Sequence, residues 1–181
     1  SFQSALAAHP DSRSRAAAYE LSARVALALD DFDTARAHAD AAEKEDPALP
    51  MRRFVDGRIL YGEGKYEEAL AAFEEAESVG GQQAKAVEEL ELSLGQTLAR
   101  LDRYADAEEH FRSELRAFPR SLHAYSSLAM LYHASNRTAH VEETLEALTE
   151  AMPTPEGFDT AASLWTIVGA ASRAAEIRAE A

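Results

Sequence analysis

Histidine and carboxylate side chains are the residues of this chain most able to bind a metal ion or to catalyse a reaction. The histidines are His9, His38, His110, His123, His133 and His140. No two of them are four residues apart on one helix, the spacing with which a helix presents two ligands to one zinc ion. The sequence also lacks HExxH, GxSxG, P-loop and GxGxxG motifs. We therefore predict no enzyme activity, no metal site and no cofactor.

Asp30, Asp31 and Asp33 form an acidic run that could be read as a cation-binding loop. The run lacks the alternating ligand spacing and the closing glutamate of an EF-hand. Aspartate is also a preferred N-cap residue, because its carboxylate accepts a hydrogen bond from a backbone N–H of the first helical turn. We interpret the run as a solvated turn that caps the next helix.

The composition bounds the fold, the partners and the compartment. With 46% hydrophobic residues, the 181-residue chain can bury the core of one domain or of a short repeat array. Its formal net charge of −14 disfavours nucleic acid and anionic membranes as partners. The chain has no cysteine, which excludes disulfides, and its apolar stretch at residues 161–171 is shorter than the about 20 residues that span a bilayer. No secretory signal is visible, so we expect the cytoplasm by default and leave the periplasm open.

Three segments of the chain repeat one pattern, at residues 29–47, 62–81 and 101–119. In each, a polar or glycine turn precedes an aromatic residue, a small residue follows three positions later, and Pro or Gly closes the segment. The aromatic residues are Phe32, Tyr66 and Tyr104, and the small residues are Ala35, Ala69 and Ala107. A weaker fourth copy has Val141, Leu145 and Pro153. Such a period predicts an array of stacked helical hairpins.

This pattern resembles the tetratricopeptide repeat of 34 residues. Copies that start at Ala16, Pro50, Glu88 and Leu122 share small residues at position 8, namely Ala23, Gly57, Gly95 and Ala129. They also align Ala39, Phe73, Phe111 and Leu145 at position 24, and Pro47, Gly81, Pro119 and Pro153 at position 32. The resemblance implies an all-α fold, a right-handed superhelical α-solenoid of helix-turn-helix repeats. Position 4, usually a large aromatic residue, is Arg53 and Glu91 in two copies, and position 27, usually Ala, is Glu114 in the third.

The register divides residues 1–181 into one array. We predict the second helix of a truncated repeat at 1–12, and then repeats at 16–49, 50–83, 84–121, 122–154 and a shortened one at 155–181. Four extra residues, 84–87, are expected to lengthen the first helix of the third repeat by one turn, or else to form a longer loop. Arg13–Arg15 are expected to lengthen the first helix of the first repeat. Phe2, Ala5 and Pro10 match the end of a repeat, so we interpret the chain as a fragment of a larger protein.

The resemblance also implies a concave groove lined by the first helix of each repeat. Carried over position by position, the candidate peptide-binding residues are Glu20, Arg24, Phe54, Arg58, Tyr61, Leu92, Gln96, Arg100, His123, Ser126, Met130 and His133. Arg24, Arg58 and Arg100 place positive charge in an acidic protein, so we expect a partner with acidic and apolar residues. The alternative is that these arginines pair with Glu20 and Glu89 and serve solubility.

The sequence argues against one familiar subtype of the family, the members that bind chaperones. Chaperone-binding members grip a C-terminal carboxylate with Lys, Asn, Asn, Lys and Arg, whereas the matching residues here are Glu20, Arg24, Val55, Glu89 and Ser93. We predict a scaffold for an unidentified protein or peptide, and arginine in excess of lysine together with abundant alanine favours a bacterial source. The alternatives are self-association through exposed repeat ends, near Phe2 and Leu6, and an accessory tail of an upstream enzyme.

Overall fold

The computed structural model describes residues 11–81, 87 and 89–180, and in this part of the chain every regular element is an α-helix. The helices are α1 (Ser12–Ala28), α2 (Phe32–Glu45), α3 (Met51–Gly62), α4 (Tyr66–Gly80), α5 (Leu90–Arg100), α6 (Tyr104–Ala117), α7 (Leu122–Ala134), α8 (Thr138–Ala151), α9 (Pro155–Ile167) and α10 (Ala171–Glu180). The predicted all-α class is confirmed. The chain forms two compact units, Ser1–Thr97 and Leu98–Ala181, and α5 contains the boundary between them.

The turns inside the five hairpins share one backbone feature. A single residue with positive φ follows the first helix each time, at Asp30, Gly64, Asp102, Asn136 and Gly169, with φ between 56° and 86°. All five occupy position 15 of the repeat register. Gly, Asn and Asp are the residues that enter this left-handed region most readily, because other side chains clash there with the backbone. The residue type at position 15 therefore ends each first helix at the same place.

Aspartates begin the first two helices of the amino-terminal unit. Asp11 accepts a hydrogen bond from the backbone N–H of Ser14 at 2.8 Å, and Asp31 accepts one from Thr34 at 3.2 Å. The acidic run thus forms the turn and cap that the sequence predicts. Helix α1 has 17 residues and includes Arg13–Arg15, so the extra residues do lengthen this helix.

Small residues at the predicted positions allow the helices of the amino-terminal unit to approach closely. Ala23, Ala35 and Ala69 are each 0% exposed. A Cβ added to Gly57 would lie 2.5 Å from a ring carbon of Phe73, closer than two carbon atoms can pack. The ring of Phe73 therefore occupies the space that the glycine leaves open.

The four extra residues of the third repeat, predicted to lengthen its first helix or to form a longer loop, fall mostly outside the described part of the chain. Helix α5 begins at Leu90, and Glu89 before it has a φ of 73°. Val87 itself lies in a bend. Residues 82–86 and 88 lie outside the described part of the chain, as do residues 1–10, where the truncated repeat is predicted.

The core of the carboxy-terminal unit contains residues from the same positions of the repeat. Phe111, Val141 and Leu145 are at most 2% exposed, and the position-27 residue Glu114 is fully buried with them. Glu108 of α6 binds three side chains from three elements: it accepts hydrogen bonds from Tyr132 of α7 at 3.0 Å and from Arg137 in the turn before α8, and it pairs with Arg112 of α6 at 2.9 Å. This cluster ties α6, α7 and the start of α8 together.

Candidate peptide-binding surface

The candidate residues of the amino-terminal unit lie on its first helices. Glu20 and Arg24 lie on α1, Arg58 and Tyr61 on α3, and Gln96 on α5, and all five are partly exposed. The helices themselves are positioned by the alanine and glycine contacts that bury their opposite faces. The structure therefore leaves these side chains accessible to a partner.

Arg58 is held in place by two neighbours. Its Nη1 donates a hydrogen bond to Glu89 Oε2 at 2.9 Å, and its guanidinium carbon lies 5.9 Å from the centroid of the Phe54 ring. The Arg58 side chain remains 35% exposed. A guanidinium has five N–H donors, so a partner carboxylate can bind Arg58 while Glu89 keeps its own bond.

Two candidate residues do not lie on an accessible surface. Phe54 is 2% exposed and packs with its ring centroid 5.9 Å from that of Phe73, and Leu92 is 4% exposed. Both belong to the core and do not line an accessible groove, contrary to the prediction. A family position alone does not show what the neighbouring helices cover at these two places.

Glu20 and Arg24 lie one turn apart on α1, close enough for the charge of Arg24 to act on the Glu20 carboxyl. Burial raises the pKa of the Glu20 carboxyl above its usual value, and the positive charge of Arg24 opposes that rise. Glu20 also lines a cavity of about 320 Å³ together with Arg13, Asp46 and Val87. The region beside α1 is therefore a depression with charged residues at its edge.

The remaining candidates are placed on α7, apart from Arg100 at the end of α5. His123 and His133 are exposed, Met130 is 37% exposed, Ser126 is partly buried and Arg100 is exposed. All of them belong to the carboxy-terminal unit.

Sequence reasoning did not find an ion-pair network on the other side of α3. Arg53 pairs with Glu43 of α2 and with Glu75 of α4 at 3.1 Å, and Arg52 pairs with Asp40 and Asp56. One feature of the sequence indicates this network: Arg53 stands at position 4 of its repeat, where the family usually has an aromatic residue. These pairs join α2, α3 and α4 through charged side chains.

The described residues contain no group of three His, Asp or Glu side chains that could hold a metal ion. Among the helices described, none combines the length and the apolar character needed to cross a membrane.

Two family models described as tetratricopeptide repeat match residues 16–41 and 92–152. No curated protein matches the chain in sequence. Among solved structures, YrrB, described as a TPR protein with an unusual peptide-binding site, is 18% identical with a TM-score of 0.57, and the match covers 99% of this chain and 90% of that one.

Two further structures have the same fold. PilW, a type IV pilus biogenesis factor, is 18% identical with a TM-score of 0.68, over 99% of this chain and 80% of its own. MamA from Desulfovibrio magneticus RS-1 is 16% identical with a TM-score of 0.61, over 92% of both chains. At these identities the likeness concerns the fold alone. The two family matches identify tetratricopeptide repeats at residues 16–41 and 92–152 of this chain, and the solved structures show that it has the α-solenoid fold of such repeats.

Proposed function

We propose that the chain is a non-catalytic scaffold that holds a peptide segment against the first helices of its amino-terminal unit. The tetratricopeptide fold supports protein interaction in general. The observation that carries the finer proposal is Arg58, a cation that is oriented by Glu89 and Phe54 and still exposed at 35%. An oriented arginine loses less side-chain entropy when it binds a carboxylate.

The chemistry of this surface favours an acidic peptide with apolar residues. Arg24 and Arg58 supply two cations, and Tyr61 supplies a partly exposed ring whose centroid lies 5.4 Å from that of Tyr66. Tyrosine and arginine are enriched among residues that dominate binding energy at interfaces. Bidentate binding of a partner carboxylate by Arg24 or Arg58 would offset part of the repulsion that the overall charge of −14 exerts on an acidic segment.

The test measures the affinity of a defined peptide for charge-reversed variants. The probe is the tightest binder selected from a random dodecapeptide display library on the wild-type protein. The double variant Arg24→Glu with Arg58→Glu is expected to weaken its binding by about tenfold or more, about 1.4 kcal/mol, in a fluorescence titration. Circular dichroism confirms that the variant remains helical.

The matched control has the same change in net charge at exposed positions of the other unit. Arg103→Glu with Arg178→Glu alters two exposed arginines of the carboxy-terminal unit, and the probe is expected to bind this variant with wild-type affinity. Equal affinity for both double variants would show that Arg24 and Arg58 do not form the binding surface.

Self-association is the second candidate function, and one observation favours it. Leu21 and Val25 lie on one face of α1 and are 63% and 53% exposed, and Leu29, the C-cap residue of α1, is 74% exposed. Contiguous exposed apolar side chains of this size mark interaction surfaces in soluble proteins.

A further inference from the structure

A cavity opens between α1 and the turn that joins α2 to α3. Its volume of about 320 Å³ is at the small end of the range for ligand pockets, about 300–1,000 Å³, so it suits a single side chain. Its apolar lining includes Ala17 of α1, Leu49 of the turn and Val87. Its charged lining residues are Arg13, Glu20 and Asp46. An occupant of this cavity therefore contacts both hydrocarbon and charge.

The two sides of the cavity are joined by hydrogen bonds beside it. Arg15 of α1 donates from Nε and Nη2 to the two carboxylate oxygens of Glu45, at 3.0 and 2.7 Å, and Ser12 Oγ donates to the Glu45 backbone carbonyl at 2.8 Å. Glu45 is the last residue of α2, and Asp46 after it accepts a hydrogen bond from the Ala48 N–H at 3.0 Å. The cavity is therefore formed before a ligand arrives, which reduces the entropy lost on binding.

Glu20 is the half-buried charged residue of this cavity. Burial raises the pKa of its carboxyl, and the positive charge of Arg24 only partly offsets that rise. In the part of the chain that the structure describes, no group donates a hydrogen bond to this carboxylate. Arg13 stands two helical turns earlier on α1, about 10 Å along the helix axis, and is not among the charges that act on Glu20. A ligand cation in the cavity would supply the stabilisation that the ionised Glu20 lacks.

The occupant that matches this lining is a basic side chain. A purely apolar side chain would remove the remaining water from Glu20 and supply no donor in its place, which is unfavourable for an ionised carboxylate. An acidic side chain would meet the like charges of Glu20 and Asp46. Lysine and arginine place methylene groups against apolar walls and end in hydrogen-bond donors, so one such side chain meets both parts of the lining.

The cavity adjoins the surface that contains Arg58. Val87 lines the cavity, and Glu89, which accepts the hydrogen bond of Arg58 at 2.9 Å, is two residues further along the chain. The Cα atoms of residues 87 and 89 are therefore at most about 7 Å apart. A single extended peptide is long enough to reach both places.

We propose that the cavity binds a lysine or arginine side chain of the same peptide whose carboxylate binds Arg58. This inference rests on the proposed function and adds a charge pattern to it, because the ligand then has an acidic and a basic residue at a fixed separation. Glu20 selects the basic residue and Arg58 selects the acidic one. The overall charge of −14 attracts basic peptides in general, so the fixed separation is what distinguishes the site.

The first experiment compares the peptides that variants of the full chain select. A random dodecapeptide display library is selected on the wild type, on Glu20→Gln and on Arg58→Glu, and the bound pools are sequenced. The wild-type pool is expected to contain a basic and an acidic residue at one preferred separation. The Glu20→Gln pool should lose the basic residue at that separation and keep the enrichment of acidic residues, and the Arg58→Glu pool should do the reverse. Glu67→Gln, which removes one exposed carboxylate from α4 of the same unit, should select the wild-type pattern.

The second experiment measures the coupling between Glu20 and the selected basic residue. In the tightest wild-type binder this residue is replaced by norleucine, which keeps a hydrocarbon chain and removes the charge. The norleucine peptide on the wild type, and the original peptide on Glu20→Gln, are each expected to bind about tenfold more weakly in a fluorescence titration. The two changes together should weaken binding little more than either alone. This cycle separates contact with Glu20 from general attraction to an acidic protein.

The outcomes separate this inference from the proposed function. A wild-type pool with no basic residue at a preferred separation, a Glu20→Gln pool that keeps it, or losses that add in the cycle would each overturn the basic-side-chain site and leave the selection of acidic residues by Arg58 intact. An Arg58→Glu pool equal to the wild-type pool overturns the proposed function, and with it the pairing of charges proposed here.

Discussion

At the scale of single residues, the fold depends on where a side chain is missing. Gly57 and Gly62 lie on the same helix, α3, but their surroundings differ. A Cβ on Gly57 would meet the ring of Phe73 at 2.5 Å, whereas nothing lies within 4 Å of a Cβ on Gly62. Only the first glycine is needed for helix packing.

We predict opposite effects for alanine at these two glycines. Gly57→Ala should lower the free energy of unfolding by about 1–3 kcal/mol, because the fully buried Phe73 ring must move in a packed core. Gly62→Ala should raise it by up to about 1 kcal/mol, because alanine loses less backbone entropy in a helix. Urea denaturation of both variants measures the difference, and similar values for the two would contradict the packing argument.

At the scale of helices, charged side chains connect neighbouring helices at specific places. Arg53 links α2 and α4 in the amino-terminal unit, and Glu108 links α6, α7 and the turn before α8 in the other. Burial alone would raise the pKa of the Glu108 carboxyl. The hydrogen bonds from Arg137 and Tyr132 outweigh it, and the pKa is lowered below its usual value.

This lowered pKa predicts a pH-dependent contribution to stability. The ionised Glu108 stabilises the folded state fully above the unfolded pKa of about 4.3, and the contribution is lost as pH falls through the lower folded value. Glu108→Gln should therefore cost about 1 kcal/mol at neutral pH, and the difference from wild type should shrink below about pH 4. Thermal unfolding at several pH values measures both. Glu109→Gln, an exposed neighbour on α6, is the control, and a difference that persists unchanged at low pH would contradict the role of the charge.

The sequence predicts the helices better than it predicts the contacts between them. Positions 8, 20 and 24 are small or apolar in every full copy, and the structure buries Ala23, Ala69 and Phe73 as that pattern indicates. The partners of Arg53 come from two other helices, so no local pattern contains them. The burial of Phe54 was missed for the same reason, since exposure depends on the neighbouring hairpin. Glu89 has a positive φ. Glutamate is not a residue type that favours this region, so the residue type does not predict this backbone conformation.

At the scale of the whole molecule, each unit is held by contacts between helices that are near in sequence. In the amino-terminal unit α1 contacts α2 and α3, and α3 contacts α4; in the carboxy-terminal unit α7, α8 and α9 contact one another and α9 contacts α10. The stability of such an array is approximately a sum over hairpins and their nearest-neighbour interfaces. A local change is therefore expected to weaken one region more than the rest.

This locality predicts where Gly57→Ala will open the structure. Amide hydrogen exchange should accelerate most in α3 and α4, which lose the Gly57–Phe73 contact, while the amides of α8 and α9 keep protection close to that of wild type. An increase of about tenfold in α3 and α4 corresponds to a local loss of about 1.4 kcal/mol, within the range expected for the overpacked ring.

Gly157→Ala is the reciprocal variant, because a Cβ there would collide with the backbone oxygen of Met152 between α8 and α9. It should accelerate exchange in α8 and α9 and spare α3 and α4. Uniform acceleration across all helices in both variants would mean that the array unfolds as one cooperative unit, and the nearest-neighbour description would not hold for this chain.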